Sequence, residues 1–134
     1  MIKVAFVCIH NSCRSQMAEG YLKTLGKNLF EVYSAGTENY PEVKPLAVKA
    51  MALDGVDIRQ QYPKTLEVLP EHLDYLITMG CGVECPYVPT THREDWGLDD
   101  PSGGPIEDYI ETRDAIKKKI LNLIDVVKKT NDQR

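Results

Sequence analysis

Val7-Cys8-Ile9-His10-Asn11-Ser12-Cys13-Arg14-Ser15 is the stretch that decides how this chain is read. It follows a mostly apolar, β-branched run over residues 2–7 and precedes residues 16–25, whose composition is helical. A strand, a short loop and a helix N-terminus in that order make an oxyanion trap. The loop N–H groups converge, and the helix end adds partial positive charge. A thiol at the start of the loop, Cys8, would lie beneath a bound anion. Arg14, with five residues between it and Cys8, would grip the anion's oxygens bidentately. The same surroundings favour thiolate over thiol. The stretch therefore predicts a nucleophile, an anion site and the activation of one by the other.

Outward from the loop, apolar runs alternate with helical ones. Residues 2–7 suit a buried parallel strand. Residues 15–25 read as a helix ending near Gly26, with Met17, Tyr21, Leu22 and Leu25 on its inner face. Residues 30–34 read as a second strand. Residues 45–53 read as a second helix that packs through Leu46, Val48, Ala50 and Leu53, with Gly55 beyond its end. A break at Tyr62-Pro63-Lys64 leads to a short helix after Thr65, with Leu66 and Leu69 facing in. Residues 75–78 form a third strand, and residues 87–94 hold a short fourth. Pro105 starts a long helix over residues 106–127, with Ile110, Ile116, Ile120, Leu123, Ile124 and Val127 as its inner stripe. Strands separated by helices imply an α/β fold with a parallel sheet and helices on both faces. Ligands of such sheets bind beyond the strands' carboxyl ends. That places Cys8, the residues after Thr78 and the loop after Trp96 on one rim.

A chain of 134 residues suits one domain over residues 1–134. The net charge of −4 argues against nucleic acid as the main partner, although an anion pocket can still be locally positive. No apolar run is long enough to span a bilayer, and the N-terminus lacks the pattern of a signal peptide, so a cytoplasmic protein is expected. Four cysteines in a reducing compartment point to catalysis, metal binding or core packing rather than a disulfide framework.

From Cys8 through Arg14-Ser15-Gln16-Met17-Ala18-Glu19-Gly20 the chain resembles the arsenate reductases built on the low-molecular-weight tyrosine phosphatase fold. Tyr33-Ser34-Ala35-Gly36 is similar to the end of that family's second strand. Thr78-Met79-Gly80-Cys81 falls where the reductases carry a resolving cysteine. Asp95-Trp96-Gly97-Leu98-Asp99-Asp100-Pro101 resembles the family's general-acid loop. The matches run through nearly the whole chain in family order. The resemblance implies a three-layer domain with a four-stranded parallel sheet of order 2-1-3-4. It implies that His10, Asn11, Ser12, Cys13 and Arg14 hold the anion, and that Cys8, Arg14, Ser15, Cys81, Cys85 and Asp100 carry the chemistry. It also implies a monomer with no metal and no tightly bound cofactor. The substrate would be arsenate, with phosphate as competitor. The external reductant would be thioredoxin, or glutathione with glutaredoxin, or a similar thiol.

Three features separate reduction from phosphate-ester hydrolysis on this fold. Gln16 stands where the phosphatases usually carry proline. Ser102-Gly103-Gly104 follows Pro101, where the phosphatases usually place aromatic residues to stack on a substrate ring. Cys81 and Cys85 add thiols that a hydrolase does not need. The expected sequence is attack of Cys8 on arsenic, attack of Cys81 on the Cys8 sulfur with loss of arsenite, and transfer of the disulfide to Cys85. The spacing of Cys81 and Cys85 is tighter than the thioredoxin-coupled relatives usually show. That leaves the recycling partner open: a glutathione-like or other low-molecular-weight thiol, with or without a glutaredoxin, could resolve the adduct instead. Glu84 beside Cys85 disfavours its thiolate, which suits a late exchanger.

The rival readings are a low-molecular-weight tyrosine phosphatase and a non-catalytic oxyanion or redox sensor. A zinc site at Cys81, Cys85 and His92 lacks a fourth ligand and the usual spacing. Asp99 competes with Asp100 as the acid, and Asp100 is preferred because it directly precedes Pro101. Cys13 is read chiefly as packing, His72 and His92 as surface residues, and Trp96 as an anchor for the acid loop. Some reductases of this family bind potassium beside the loop. Asn11, Glu19 and Ser34 match three of those contacts, and Lys64 stands near the place of a further acidic ligand, where its ammonium would replace the cation.

Overall fold

The computed structural model describes residues 1–80 and 89–132. The apolar run after the N-terminus is β1 (Ile2–Cys8). Val4, Ala5, Phe6 and Val7 have no exposed surface, so β1 is a strand covered on both faces and must be central. The sheet order is β2-β1-β3-β4, where β2 is Phe30–Gly36, β3 is Leu73–Thr78 and β4 is Thr90–Asp95. Every pairing is parallel.

The alternation of side chains along β1 divides the core in two. Val4, Phe6 and Cys8 join the larger cluster with residues of α1 (Arg14–Leu25), α2 (Pro45–Leu53) and α3 (Ile106–Asp132). Ala5 and Val7 face the other way and pack with Leu73 and Leu76. A short 3-10 turn, Leu66–Val68, covers that face through Leu66, with Leu69 beside it.

The elements start and stop for local reasons. Gly26 closes α1 by donating its N–H to the Leu22 carbonyl (2.9 Å). Pro45 sits in the first turn of α2, where its missing N–H costs nothing. Glu107 and Asp108 sit in the first turn of α3 and Lys129 in its last, which matches the helix dipole.

Several boundaries differ from the sequence reading. Helix α1 begins at Arg14, one residue early, so the loop arginine is already helical. Strand β3 begins at Leu73, two residues early, and the adjacent Asp74 accepts the Lys3 N–H (2.7 Å). Helix α3 runs five residues past Val127, because no glycine or proline intervenes to stop it. Strand β4 begins at Thr90, and residues 87 and 88 of the expected stretch lie outside the described residues. Leu25 and Leu53, expected to pack inward, are 39% and 63% exposed. Each is the last residue of its helix, where the packed neighbours run out. The stripe on α3 holds: Ile116, Ile120, Leu123, Ile124 and Val127 are buried and Ile110 packs against them, while Tyr109 joins the core as well. Among the described residues no helix is long and apolar enough to cross a membrane.

Helix α1 carries the polar part of the interior. Nine consecutive residues, Arg14 to Leu22, are buried because α1 is enclosed by β1, β2, α2 and α3. Four of them are polar: Arg14, Ser15, Gln16 and Glu19. A buried polar group without a partner costs roughly 1–3 kcal/mol. Among the described residues no buried side-chain nitrogen or oxygen is left without one.

The stripe on α3 gives a direct test of the packing. Ile120→Ala is expected to lower unfolding stability by about 2–5 kcal/mol, whereas Leu121→Ala, at a position 49% exposed, should stay within about 0.5 kcal/mol. Urea titration of both variants checks this, and equal losses would contradict the assignment of the inner face.

Candidate active site

The sheet register brings three strand ends to one rim. Val7 pairs with Thr78, and Thr78 pairs with Asp95. The chain continues the ladder past the strands: Met79 N–H donates to Val7 O, Trp96 N–H to Thr78 O, and Leu98 N–H to Met79 O. The loop after β1 and the loop after β4 therefore meet above the sheet. Gly80, at φ +89°, makes this possible, because a Cβ there would collide with the Leu98 nitrogen and with Gly97. Gly36 does the same below, where a Cβ would lie 2.6 Å from Ile9 O and 2.9 Å from Asn11 N.

Between these loops is a cavity of about 80 Å3 lined by Cys8, Ile9, His10, Ser12, Cys13, Arg14 and Asp100. Its volume suits a small tetrahedral anion. The Cys8 sulfur lies 2.9 Å from Ser15 Oγ and accepts the Asn11 N–H at 3.2 Å. Asn11 Nδ2 in turn donates to Ser15 Oγ (2.7 Å). Asn11 is fully buried, takes φ +54° and does not line the cavity. Its side chain faces back into the protein, and its N–H serves the sulfur.

Arg14 is 5% exposed. Its Nη1 donates to Met79 O (2.9 Å) and Leu98 O (2.7 Å). Those bonds tie the arginine to both neighbouring loops and leave its other N–H groups for an anion. Nη2 lies 3.8 Å from Asp100 Oδ2. Partial burial pushes the Asp100 carboxyl up. The Ser102 N–H and hydroxyl, with Arg14 and Lys44, outweigh that and hold it below the ordinary aspartate range. Asp100 is thus ionised at neutral pH. A bound multivalent anion beside it would push the carboxyl up by adding negative charge.

Cys13 is 3% exposed and packs in the larger core cluster. Burial pushes its thiol strongly up, and Asp100 and Cys8 add to the rise. It remains a neutral thiol. His10 stands at the mouth, 3.3 Å from Glu38 and against the Tyr40 ring (centroids 4.7 Å). Lys44, which the sequence reading did not single out, donates to Tyr40 OH (2.6 Å), and its N–H holds Ser12 O (2.7 Å).

Behind the loop, Ser34 donates to Glu19 Oε1 and Lys64 Nζ lies 3.4 Å from the same oxygen. Lys64 also donates to Tyr62 O (2.9 Å) and, through its backbone N–H, to Asn11 Oδ1 (2.9 Å). Burial lowers the Lys64 ammonium, and Glu19 opposes that shift. Asn11, Glu19, Ser34 and Lys64 are therefore one connected cluster, in which the Lys64 ammonium meets Glu19 and its backbone N–H meets Asn11.

Cys81 and Cys85 lie outside the described residues. Gly80 leads into that segment directly beside the acid loop. His72 and His92 are exposed, and His92 stacks on Tyr75. Trp96 is 9% exposed and packs on Phe6 (centroids 5.6 Å) next to the acid loop. Among the described residues no group of three metal-ligating side chains converges.

Comparison with known proteins agrees with this geometry. The family model of the low molecular weight phosphotyrosine protein phosphatases matches residues 3–133. A "glutaredoxin arsenate reductase" of Synechocystis is 42% identical over 128 residues, covering 92% of this chain and 97% of the relative. A solved structure described as an arsenate reductase in the phosphate binding state superposes with a TM-score of 0.87 at 41% identity, covering 95% of this chain and 99% of the other. A thioredoxin-dependent arsenate reductase of Corynebacterium glutamicum superposes with a TM-score of 0.80 at 33% identity, covering 97% of this chain and 63% of the other.

The cavity predicts tight binding of a tetrahedral anion through the Arg14 fork. Phosphate at about 100 times its Kd should stabilise the fold by ~2.7 kcal/mol, read as a rise in Tm. Arg14→Lys, which keeps the charge and loses the fork, should bind phosphate at least about tenfold more weakly, a loss of ~1.4 kcal/mol. An undiminished phosphate-dependent shift in that variant would contradict the role given to the guanidinium.

Proposed function

We propose that this chain, which belongs to the low molecular weight phosphotyrosine protein phosphatase family, reduces arsenate to arsenite as an arsenic-detoxifying enzyme. The observation that carries the reading is a phosphatase-type anion loop joined to further thiols, Cys81 and Cys85, in a chain closely similar over its length to named arsenate reductases. Arsenate copies phosphate in charge and shape, so the cavity that fits one fits the other.

In the proposed sequence the Cys8 thiolate attacks arsenic. An arsenic–sulfur bond forms and an arsenic–hydroxide bond breaks. Asp100, protonated once the anion has entered, gives its proton to the departing hydroxide, and water leaves. The N–H groups of Ile9, His10, Ser12, Cys13 and Arg14, with the Arg14 guanidinium, hold the remaining oxygens. Ser15 stabilises the thiolate before attack. Cys81 thiolate then attacks the Cys8 sulfur. A Cys8–Cys81 disulfide forms, the arsenic–sulfur bond breaks, and its electron pair stays on arsenic, which leaves as arsenite. Cys85 attacks Cys81, frees Cys8 and leaves a Cys81–Cys85 disulfide for an external dithiol or thiol pair to reduce.

The reductant we assign is glutathione with glutaredoxin. The tight spacing of Cys81 and Cys85 supports it, as does the similarity to the glutaredoxin-type enzyme of Synechocystis. Thioredoxin is the alternative, favoured by the Corynebacterium similarity. These thiols need a reducing compartment, which the cytoplasm provides. A phosphatase reading is less favoured, because Ser102-Gly103-Gly104 beside the acid supplies no aromatic wall for a phenyl ring.

Measured arsenite formation should be fast with glutathione plus glutaredoxin, slower with thioredoxin, and absent in Cys8→Ser. Hydrolysis of an aryl phosphate should be weak. Aryl phosphate turnover without any arsenite would reverse the assignment. The cluster around Glu19 adds a second expectation. With the Lys64 ammonium already in place, exchanging sodium for potassium at constant ionic strength should leave the rate unchanged. A steep rise with potassium would contradict the cation role given to Lys64.

A further inference from the structure

We propose that Gln61 is a positioning residue for the Cys8 nucleophile: it anchors a one-way chain of hydrogen-bond donors that runs through Gln16, Asn11 and Ser15 and ends on the Cys8 sulfur. Neither the family membership nor the reaction assigns any part to Gln61, which lies 45 positions from Gln16 in the chain.

The direction of the chain follows from backbone groups, whose roles cannot flip. Lys64 N–H donates to Asn11 Oδ1, so that atom must be the carbonyl oxygen and Nδ2 must be the end that faces Ser15 Oγ. Gln16 meets two backbone carbonyls, Asn11 O and Tyr62 O, both at 2.9 Å. The atom that meets them must be Nε2, which also donates to Asn11 Oδ1 at 2.9 Å. That leaves Gln16 Oε1 as an acceptor in need of a donor. Gln61 Nε2 supplies it at 2.8 Å, and its contact with the Gln16 carbonyl at 3.0 Å fixes its own orientation in turn. Ser15 Oγ accepts the hydrogen bond from Asn11 Nδ2, so its own hydrogen is free for the sulfur 2.9 Å away.

Gln61 donates ahead, and every link from Gln16 onward accepts from behind and donates ahead. Hydrogen bonds aligned in this way polarise one another, and the alignment favours a negative sulfur over a neutral one. The chain is also sheltered: Gln16, Asn11 and Ser15 have no exposed surface, and Gln61 is half-buried at the outer end. It has a mechanical part as well. Asn11 holds φ +54°, a conformation that favours glycine or asparagine, and Gln16 grips both its backbone and side-chain oxygens. The residue that sets the loop's turn is thus clamped by the amide that Gln61 orients.

The test reads Cys8 without using arsenate, so it remains informative if the reaction assignment fails; it does rest on Cys8 being the nucleophile. In the full-length reduced protein, iodoacetamide labelling is followed against pH, with tandem mass spectrometry separating Cys8 from Cys13. Gln61→Met keeps the shape and removes the donor, and Gln61→Ala is a second variant with less bulk. Gln60→Met, at the exposed neighbouring position, is the control. The other titratable groups around the loop, Arg14, Asp100, Lys44, Cys13, His10, Glu19 and Lys64, are unaltered. Both Gln61 variants should shift the Cys8 labelling curve to higher pH by roughly half a unit, which slows labelling about threefold on the acid limb of the curve. Gln60→Met should overlay the parent. If the Gln61 variants overlay the parent too, or lower Tm while the labelling curve stays in place, the positioning role is overturned.

Discussion

The constraint on which the molecule depends is the need to aim a sulfur and a guanidinium at one point from the two ends of a short turn. β1 delivers Cys8 and α1 delivers Arg14, and the intervening residues must reverse direction with their N–H groups facing inward. Asn11 makes the turn at φ +54°. It is held there by Lys64 N–H and Gln16 Nε2 on its oxygens. Gly36, at the end of β2, lets that turn settle onto the sheet without a side chain in the way. Residues 61–65 thus serve the loop as a brace, and β2 serves it as a floor.

A second consequence is that stability and function share the same bonds. The buried polar residues of α1 would each be a liability in an ordinary core. Here Ser15 serves the sulfur, Arg14 ties the loop to both neighbours, Gln16 clamps Asn11, and Glu19 is matched by Ser34, Lys23 and Lys64. Removing one partner leaves another group buried and unsatisfied, which costs more than the net value of the bond itself. The acid loop is mounted differently. Asp100 is half exposed, accepts the Ser102 N–H, and is open to the charge of whatever enters the cavity.

The features legible in the sequence were those carried by local pattern. The β-branched run of β1, the loop with its cysteine and arginine, and the 3.6-residue stripe of α3 all sit where composition and periodicity place them. The rim shared by Cys8, Thr78 and the residues after Trp96 followed from a general rule about parallel sheets. What local pattern did not carry was long-range pairing of polar groups. Gln16 was visible as a residue unlike the phosphatases', but its partners, Asn11 and Gln61, leave no periodic trace. Lys44 sits in an irregular segment before α2, where a lysine reads as surface. Lys64 was placed beside Glu19 through family resemblance rather than through any physical signal in the chain. The exposed helix-end residues Leu25 and Leu53 fail for the opposite reason: periodicity continues to the last turn, while the core beneath it does not.

The reaction comes from combining the parts. The loop suits capture of a tetrahedral anion, Asp100 is the acid proposed for the departing hydroxide, and neither alone distinguishes ester hydrolysis from reduction. The distinction lies in where electrons come from, and Cys8, Cys81 and Cys85 are the source proposed here. The most direct measurement is a single turnover. Fully reduced protein receives one equivalent of arsenate with no external reductant, and the products are resolved by arsenic speciation and non-reducing peptide mapping. The account predicts up to one arsenite per chain, matched by one disulfide drawn from Cys8, Cys81 and Cys85. Unchanged arsenate, with all of those thiols still free, would contradict it.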